Sequence, residues 1–254
     1  MKTRAITALF FASCMLGSLF LGPLVFAVFS LLLLGIGLLE FYRLVKATEL
    51  QPNTVLGLVL SLAVYALTFS TVLYNNSPQN VLVLVPLVLA VFIAELYRKS
   101  TNPFQNIAIT LLGVCYIAIP FSFYLALGFI GDGFSFTLPL ALLLLIWAND
   151  TGAYLFGVKL GKHRLFERHS PKKSWEGFMG GLLVACLVAW ILGIYILAVS
   201  PIHWLVLAVL VGAVGTLGDL VESMLKRSLN IKDSGSFLPG HGGLLDRFDS
   251  LLFA

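Results

Sequence analysis

The sequence predicts an all-α polytopic membrane protein with about nine transmembrane helices and a cytoplasmic N-terminus. Three observations support this fold class: an apolar composition, a series of long apolar runs, and an uneven placement of Lys and Arg. Apolar residues make up 59% of the 254 residues and charged residues only 11%, whereas soluble proteins average about 25% charged. So few charges cannot cover a water-soluble body of this size, and disordered, collagen-like and disulfide-scaffold classes are excluded for the same reason.

The apolar runs are long enough to cross a bilayer as helices. We expect spans near residues 5–21, 23–39, 54–74, 80–97, 105–130, 134–149, 177–199 and 201–224, and a ninth helix from about Gly243. At 1.5 Å per residue, the roughly twelve residues left before Ala254 reach about half of a 30 Å hydrocarbon core. The last span is therefore expected to be truncated. The first run continues past Cys14, which favours an uncleaved helix over a signal peptide.

Basic residues occur only in alternate connections between these runs. With the N-terminus inside, the cytoplasmic segments hold all 16 Lys and Arg, namely Lys2, Arg4, Arg43, Lys46, Arg98, Lys99, Lys159, Lys162, Arg164, Arg168, Lys172, Lys173, Lys226, Arg227, Lys232 and Arg247. Because cytoplasmic loops retain basic residues, we interpret the net charge of +4 as topology and expect no nucleic-acid partner. The expected location is a plasma membrane, or the inner membrane in a bacterium.

We interpret residues 1–254 as a single membrane domain, with little chemistry in 1–140 and a catalytic half in 141–254. In the first half, residues 40–43 and 95–98 end two inner helices with the same E-[FL]-Y-R pattern. This pattern is either a trace of an internal repeat or, the interpretation we prefer, two helix ends anchored by interfacial Tyr and Arg.

The second half places polar groups at the inner ends of its helices. Asn149 and Asp150 close the sixth run, and an ionisable group at such depth is a candidate functional residue; an N-cap or interfacial anchor is the alternative. Ser170, Lys172, Lys173 and Ser174 precede the next helix, where amides and ammonium groups favour phosphate. Positive-inside topology or binding of anionic lipid headgroups is the alternative for this basic loop.

The densest polar stretch runs from Gly218 to Asp249. Asp219, Glu222, Ser223 and Lys226 fall on one stripe of the eighth helix, with Arg227 beside it. Asp246 and Asp249 follow the Gly-rich segment around His241, next to Arg247. Carboxylates from two helices facing Lys and Arg suit hard cations that bridge phosphates. Salt bridges between helix ends are the alternative for any single residue of this set.

The segment from Ser223 to Asp249 resembles the signature of the CDP-diacylglycerol synthases, or phosphatidate cytidylyltransferases: S-x-ϕ-K-R-x4-K-D-x-G-x2-ϕ-P-x-H-G-G-ϕ-x-D-R-ϕ-D, where ϕ is apolar. Every fixed position matches. Residues 149–154, 170–177 and 218–223 are similar to upstream blocks of the same family and occur in the same order. The specific resemblance covers residues 147–249, and residues 1–140 agree only in helix number and hydropathy.

This resemblance implies an enzyme that transfers CMP from CTP to phosphatidate with Mg2+, leaving a second divalent or monovalent cation open. It implies Asp219, Lys226 and Asp246 as catalytic residues and Asp219, Asp246 and Asp249 as metal ligands. The implied substrate-binding residues are Asn149, Asp150, Ser170, Lys172, Lys173, Ser174, Ser223, Arg227, Lys232, His241 and Arg247. Implied partners are CTP, phosphatidate and membrane lipids, and a homodimer is left open. The rivals are a CTP-dependent lipid kinase and an ion-coupled transporter.

Overall fold

The computed structural model describes residues 2–47, 49–74, 77–131, 133–196, 199–231, 233–235 and 242–254. The helices are α1 Lys2–Phe20, α2 Pro23–Lys46, α3 Thr54–Tyr74, α4 Leu84–Tyr97, α5 Pro103–Gly113, α6 Ile119–Leu127, α7 Thr137–Leu160, α8 Trp175–Tyr195, α9 Pro201–Ser228 and α10 Leu245–Phe248. A 3-10 helix, Pro78–Val83, leads into α4, and a π-helical turn, Val114–Ala118, joins α5 to α6. Strands β1 Arg164–Phe166 and β2 Ser170–Ser174 form an antiparallel hairpin.

Seven helices in the described part of the chain are long and apolar enough to cross a membrane: Pro23–Lys46, Thr54–Tyr74, Gln79–Tyr97, Pro103–Leu127, Thr137–Leu160, Trp175–Tyr195 and Pro201–Ser228. Large apolar side chains such as Leu24, Ile93 and Trp190 are exposed on them, as lipid-facing surfaces require. The chain is therefore a multi-pass membrane protein.

The predicted number of about nine spans is not confirmed. The apolar stretch described in α1 is Leu9–Phe20, which at 1.5 Å per residue is shorter than a hydrocarbon core of about 30 Å. Helix α10 has only four residues. The sixth span differs as well, because α7 continues past the predicted end at residue 149 to Leu160 and carries Asn149 and Asp150 inside the helix.

Two compact units divide the chain. The first comprises Met1–Pro139 and Ile231–Asp246, and the second comprises Leu140–Asn230 and Arg247–Ala254. The boundary expected at residue 140 lies beside this division, whereas the segment Ile231–Asp246 belongs with the first unit rather than with the helix that precedes it. The single-domain interpretation stays a prediction.

Buried hydroxyl groups connect the helices of the first unit. Tyr42 on α2 lies against Gly57 of α3 and Gly113 of α5, where a Cβ would collide with its ring. Its hydroxyl donates to the Thr110 carbonyl at 2.7 Å. These contacts require glycine at both facing positions, and they hold three helices at close distance.

A buried carboxylate, Glu95, organises the end of α4. It accepts hydrogen bonds from Ser100 Oγ at 2.6 Å, Asn106 Nδ2 at 2.8 Å and Arg98 Nη1 at 2.8 Å. The Asn106 amide oxygen in turn accepts from the Gln51 backbone N–H at 2.7 Å. Since Glu95 is only 3% exposed, this satisfied network offsets the cost of burying the charge.

In the second unit, α8 packs along α9, and its Gly180 and Gly181 lie against Phe156 and Asn149 of α7. Gly180, Gly181, Ala185 and Ala189 on α8 are buried, and small side chains let transmembrane helices approach closely. Ser174 caps α8, since its Oγ accepts from the Gly177 backbone N–H at 3.1 Å. The hairpin that we had interpreted as a basic loop is thereby attached to the start of α8.

Replacing Tyr42 by Phe tests the helix contacts of the first unit. The substitution removes one buried hydrogen bond and keeps the ring, so we expect a destabilisation of about 1 kcal/mol, measured as a lower thermal unfolding temperature in detergent. Tyr195→Phe is the control, because Tyr195 is 81% exposed. Equal unfolding temperatures for the two variants would contradict the role of the Tyr42 hydroxyl.

Candidate active site

A cavity of about 380 Å3 lies within the second unit, between α7, β2, α8 and α9. Its polar lining consists of Asn149, Asp150, Lys172, Lys173, Ser174, Thr216 and Asp219. Apolar residues, among them Val158, Leu165 and Phe178, complete the wall. The volume falls in the range of small-molecule sites, and apolar walls with a few convergent polar groups are typical of such sites.

Asp219 on α9 is held from two sides. The Lys173 ammonium of β2 lies 2.6 Å from Asp219 Oδ2, and Lys173 Nζ also donates to the Thr216 carbonyl at 3.5 Å. Ser223, one turn further along α9, donates from Oγ to Asp219 Oδ1 at 3.4 Å. Both members of the ion pair remain partly exposed, at 25% for Lys173 and 33% for Asp219. The pair is therefore accessible to a ligand in the cavity.

Three carboxylates meet at the end of this cavity wall. Among the described residues, Asp219, Glu222 and Asp249 each offer an oxygen, and these oxygens lie within 4.8 Å of one another. Asp219 and Glu222 share one face of α9 because they are three residues apart. Asp249 lies against α9 at Gly218, where a Cβ would collide with the Asp249 carbonyl. We call Asp219, Glu222 and Asp249 the acidic cluster.

Ammonium groups compensate part of the negative charge of the acidic cluster. Glu222 is almost fully buried and pairs with Lys226 Nζ at 2.7 Å, while Asp219 pairs with Lys173. Burial raises the pKa of Asp249 well above its ordinary value, and the negative charges of Asp219 and Glu222 raise it further. Three hard oxygen donors that repel one another fit a divalent cation such as Mg2+, so the residues present are suited to the metal that the resemblance implies.

Several predicted substrate residues line the cavity or adjoin it. Lys172, Lys173 and Ser174 lie together on β2 at the start of α8, whereas Ser170 at the other end of β2 is half-buried in the hairpin. Asn149 is buried between Gly181 and Gly212. Among the described residues, its side-chain oxygen has no hydrogen-bond partner.

The remaining predicted residues fall elsewhere. Asp246 belongs to the first unit, where its Oδ2 accepts from the backbone N–H groups of Ser234 at 2.9 Å and Gly243 at 2.8 Å. Arg227 in the last turn of α9 and Arg247 in α10 are exposed. Lys232 and His241 lie outside the described residues. The assignment of one ion to Asp219 and Asp246 stays a prediction.

Sequence reasoning did not assign Glu222 to the metal. The signal was present, because Asp219 and Glu222 are three residues apart on a predicted helix and so share a face. Spacing along one helix could not show that Asp249, rather than another carboxylate, completes the acidic cluster. That information comes from packing of the C-terminal residues against Gly218.

Substituting Asp249 by Asn tests whether the acidic cluster binds a divalent cation. In a chelator, at a pH above the raised pKa of Asp249, the variant should unfold at a higher temperature than the wild type, because one repelling charge is removed. With Mg2+ added, the wild type should gain stability and the variant little or none. Glu49→Gln, an exposed carboxylate of the first unit, should behave like the wild type. Equal stabilisation of Asp249→Asn and wild type by Mg2+ would contradict the assignment.

The raised pKa of Asp249 also gives this response a pH dependence. The folded metal-free protein holds a proton that the unfolded chain has already released, so its stability falls as pH rises through the folded pKa. Mg2+ competes with that proton. The rise in unfolding temperature caused by Mg2+ should therefore shrink as pH falls through the raised pKa of Asp249. A rise that is constant over this range would contradict the coupling.

Comparison with known proteins agrees with the signature. The sequence pattern of the cytidylyltransferase family matches residues 2–254. A phosphatidate cytidylyltransferase of Staphylococcus epidermidis is 36% identical over 267 aligned residues, which cover 100% of this chain and 95% of the relative. Those of Staphylococcus aureus and Bacillus subtilis are 35% and 32% identical, again over 100% of this chain. The chain belongs to the cytidylyltransferase family, as its signature predicts.

Proposed function

We propose that this protein transfers CMP from CTP to phosphatidate, which yields CDP-diacylglycerol and pyrophosphate for phospholipid biosynthesis. The observation that carries the proposal is a cavity whose wall holds Lys172, Lys173 and Asp219 and continues into the acidic cluster. In this reaction a phosphatidate oxygen forms a bond to the α-phosphorus of CTP. The bond from that phosphorus to the oxygen bridging to the β-phosphorus breaks, and pyrophosphate leaves with the electron pair.

The reaction brings two anions together, so its barrier is largely electrostatic and positional. Asp219, Asp246 and Asp249 are the proposed Mg2+ ligands from the sequence, and the position of Glu222 beside Asp219 and Asp249 in the acidic cluster supports it as a further candidate. A bound divalent ion would supply positive charge to the phosphate oxygens. No general base is needed, because the phosphatidate phosphate is already ionised near neutral pH. Binding of a second cation, divalent or monovalent, stays a prediction.

The basic residues of the second unit would bind and orient the phosphates. Lys172 and Lys173 project from β2 beside the N-terminus of α8, where helix amides also favour anions. Lys226 is held by Glu222, and we propose that it acts with Arg227, Arg247, Lys232 and Ser223 in neutralising phosphate charge. Because Lys173 is paired with Asp219, the lysine would lie next to a proposed metal ligand before substrate arrives.

The part of the cavity wall formed by α7 would bind the ribose and base of CTP. The buried side-chain oxygen of Asn149 accepts no hydrogen bond from the described residues, so we propose that a donor on the ligand satisfies it. Asp150 lines the same cavity one residue along α7. Ser170, Ser174 and His241 remain proposed phosphate or headgroup contacts.

We place this site on the cytoplasmic side, since every Lys and Arg falls in the segments assigned to that side. CTP would reach the cavity from the cytosol and phosphatidate from the bilayer. The homodimer stays a prediction.

A CTP-dependent lipid kinase would pass on the γ-phosphoryl group of CTP instead of CMP. An ion-coupled transporter would place its carboxylates near the bilayer midplane. Full-length similarity to phosphatidate cytidylyltransferases favours CMP transfer over both.

CTP labelled on the base separates CMP transfer from phosphoryl transfer. The purified protein with phosphatidate and Mg2+ should carry the base label into extractable lipid and release pyrophosphate, whereas label on the γ-phosphate should stay in the aqueous phase. Label in lipid only from the γ-phosphate would indicate a kinase. Flux in vesicles without either transfer would indicate a transporter.

Removing single carboxylates tests the proposed metal ligands. Asp219→Asn and Asp246→Asn should each reduce CMP transfer by more than about 100-fold, because a ligand and its charge are lost. Glu167→Gln, an exposed carboxylate of the hairpin, should leave the rate unchanged. Wild-type rates in either Asn variant would remove that residue from the metal site.

Cysteine labelling tests the proposed orientation. In a variant with Cys14, Cys115 and Cys186 replaced by Ser, a membrane-impermeant maleimide should label Ser77→Cys in intact cells. It should label Glu167→Cys only after permeabilisation. The reverse pattern would place the hairpin and the cavity on the outer side.

A further inference from the structure

Glu40, at the inner end of α2, is a buried carboxylate that the proposed reaction does not use. It is 7% exposed, and it lies in the E-[FL]-Y-R pattern that we interpreted as an interfacial anchor. The structure gives it a different set of contacts. Its Oε1 accepts from the Ser234 hydroxyl and from the Leu245 backbone N–H at 3.1 Å, and its Oε2 accepts from the Leu244 backbone N–H at 2.8 Å.

These three donors all belong to the segment Ile231–Asp246, which lies about two hundred residues away in sequence but in the same unit. Leu245 is the first residue of α10 and Leu244 directly precedes it, so Glu40 satisfies backbone N–H groups that a helix start leaves without an intrahelical acceptor. Glu40 therefore acts as a cap for α10 that is supplied by another helix.

The same segment positions Asp246. The Asp246 carboxylate accepts from the backbone N–H groups of Ser234 and Gly243, and Ser234 and the neighbouring Leu244 are the groups that Glu40 binds. Two carboxylates thus bind the same two parts of this segment, at Ser234 and at residues 243–245. A shift of that backbone would change the direction of the Asp246 side chain.

Two glycines make this arrangement possible. Gly243 lies so close to Glu40 and Ser234 that a Cβ would collide with both side chains. Gly242 has φ of +84°, which favours glycine, and a Cβ there would collide with Asp246 Oδ2. The consecutive glycines of the signature are therefore required by contacts with Asp246 on one side and Glu40 on the other.

We propose that Glu40 is a positioning residue, which fixes the orientation of the Asp246 carboxylate by binding Ser234 and the N-terminus of α10. The proposal rests on the proposed function in one respect, the assignment of Asp246 as a Mg2+ ligand. Residues that orient metal ligands through hydrogen bonds commonly change metal affinity or activity by about 10–100-fold when they are replaced. Glu40→Gln should act in that way, since its amide NH2 would face a donor.

Glu95→Gln is the matched control. Glu95 occupies the same place in the second E-[FL]-Y-R pattern, is equally buried, and also accepts three hydrogen bonds. Its donors, however, belong to Arg98, Ser100 and Asn106, whereas the donors to Glu40 lie in the segment that also binds Asp246. If both buried carboxylates only stabilised the fold, Glu40→Gln and Glu95→Gln would have the same effects.

Hydrogen exchange in the metal-free protein is the first measurement. Glu40→Gln should speed exchange in peptides covering residues 233–235 and 242–246, and Glu95→Gln should leave those peptides at the wild-type rate. The second measurement is the Mg2+ concentration that gives half-maximal CMP transfer, which should rise by about 10-fold in Glu40→Gln and stay near wild type in Glu95→Gln. Excess Mg2+ should restore part of the rate in Glu40→Gln.

Equal effects of the two variants on exchange and on Mg2+ dependence would overturn the proposal. If Glu40→Gln does not fold, Ser234→Ala decides, because it removes one donor to Glu40 and keeps the backbone N–H that binds Asp246. The same shifts at smaller amplitude would support the proposal, and wild-type exchange and Mg2+ dependence would overturn it. If the wild type transfers no CMP, the proposed function fails, and the exchange rates still decide whether Glu40 holds this segment.

Discussion

Repulsion among carboxylates is the interaction on which the rest of the site depends. Two like charges 4 Å apart repel by about 4 kcal/mol at an effective dielectric constant of 20, and the acidic cluster holds three carboxylates within 4.8 Å of one another. Lys173 and Lys226 each compensate one of them. The third, Asp249, is left to bind a proton or a cation, which is why a cluster that is unfavourable for folding alone is suited to binding a divalent ion.

In the first unit, the carboxylates are stabilised mainly by hydrogen bonds. Glu40 and Asp246 accept hydrogen bonds from backbone N–H groups, and Glu95 accepts from side chains and one guanidinium group. A hydrogen bond from a neutral donor stabilises a carboxylate by electrostatic attraction, and it also fixes the direction of the carboxylate relative to the donor. Such carboxylates therefore order the backbone around them, whereas two of the three carboxylates of the acidic cluster are compensated by ammonium groups.

The sequence predicted the membrane class, most of the spans and the family, because apolar runs, basic loops and the signature are local properties. It missed the continuation of α7 from residue 149 to Leu160, since hydropathy detects only the apolar part of a helix. It also missed the hairpin at residues 164–174, where no alternation of apolar and polar residues marks a strand. The roles of Glu222 and Glu40 depend on contacts between distant segments, which spacing along the chain does not reveal.

The length of α9 explains why these charges can exist in so apolar a protein. Asp219 follows the first residue of α9, Pro201, by eighteen positions, or about 27 Å along the helix axis, which is near the far boundary of a hydrocarbon core of roughly 30 Å. Glu222 and Lys226 lie further along, beyond that boundary. These charges lie outside the hydrocarbon core and are paired with each other, so insertion of α9 costs little. At that depth a triphosphate can reach the carboxylates from the aqueous phase while a lipid headgroup approaches them from the membrane, without a polar path through the bilayer.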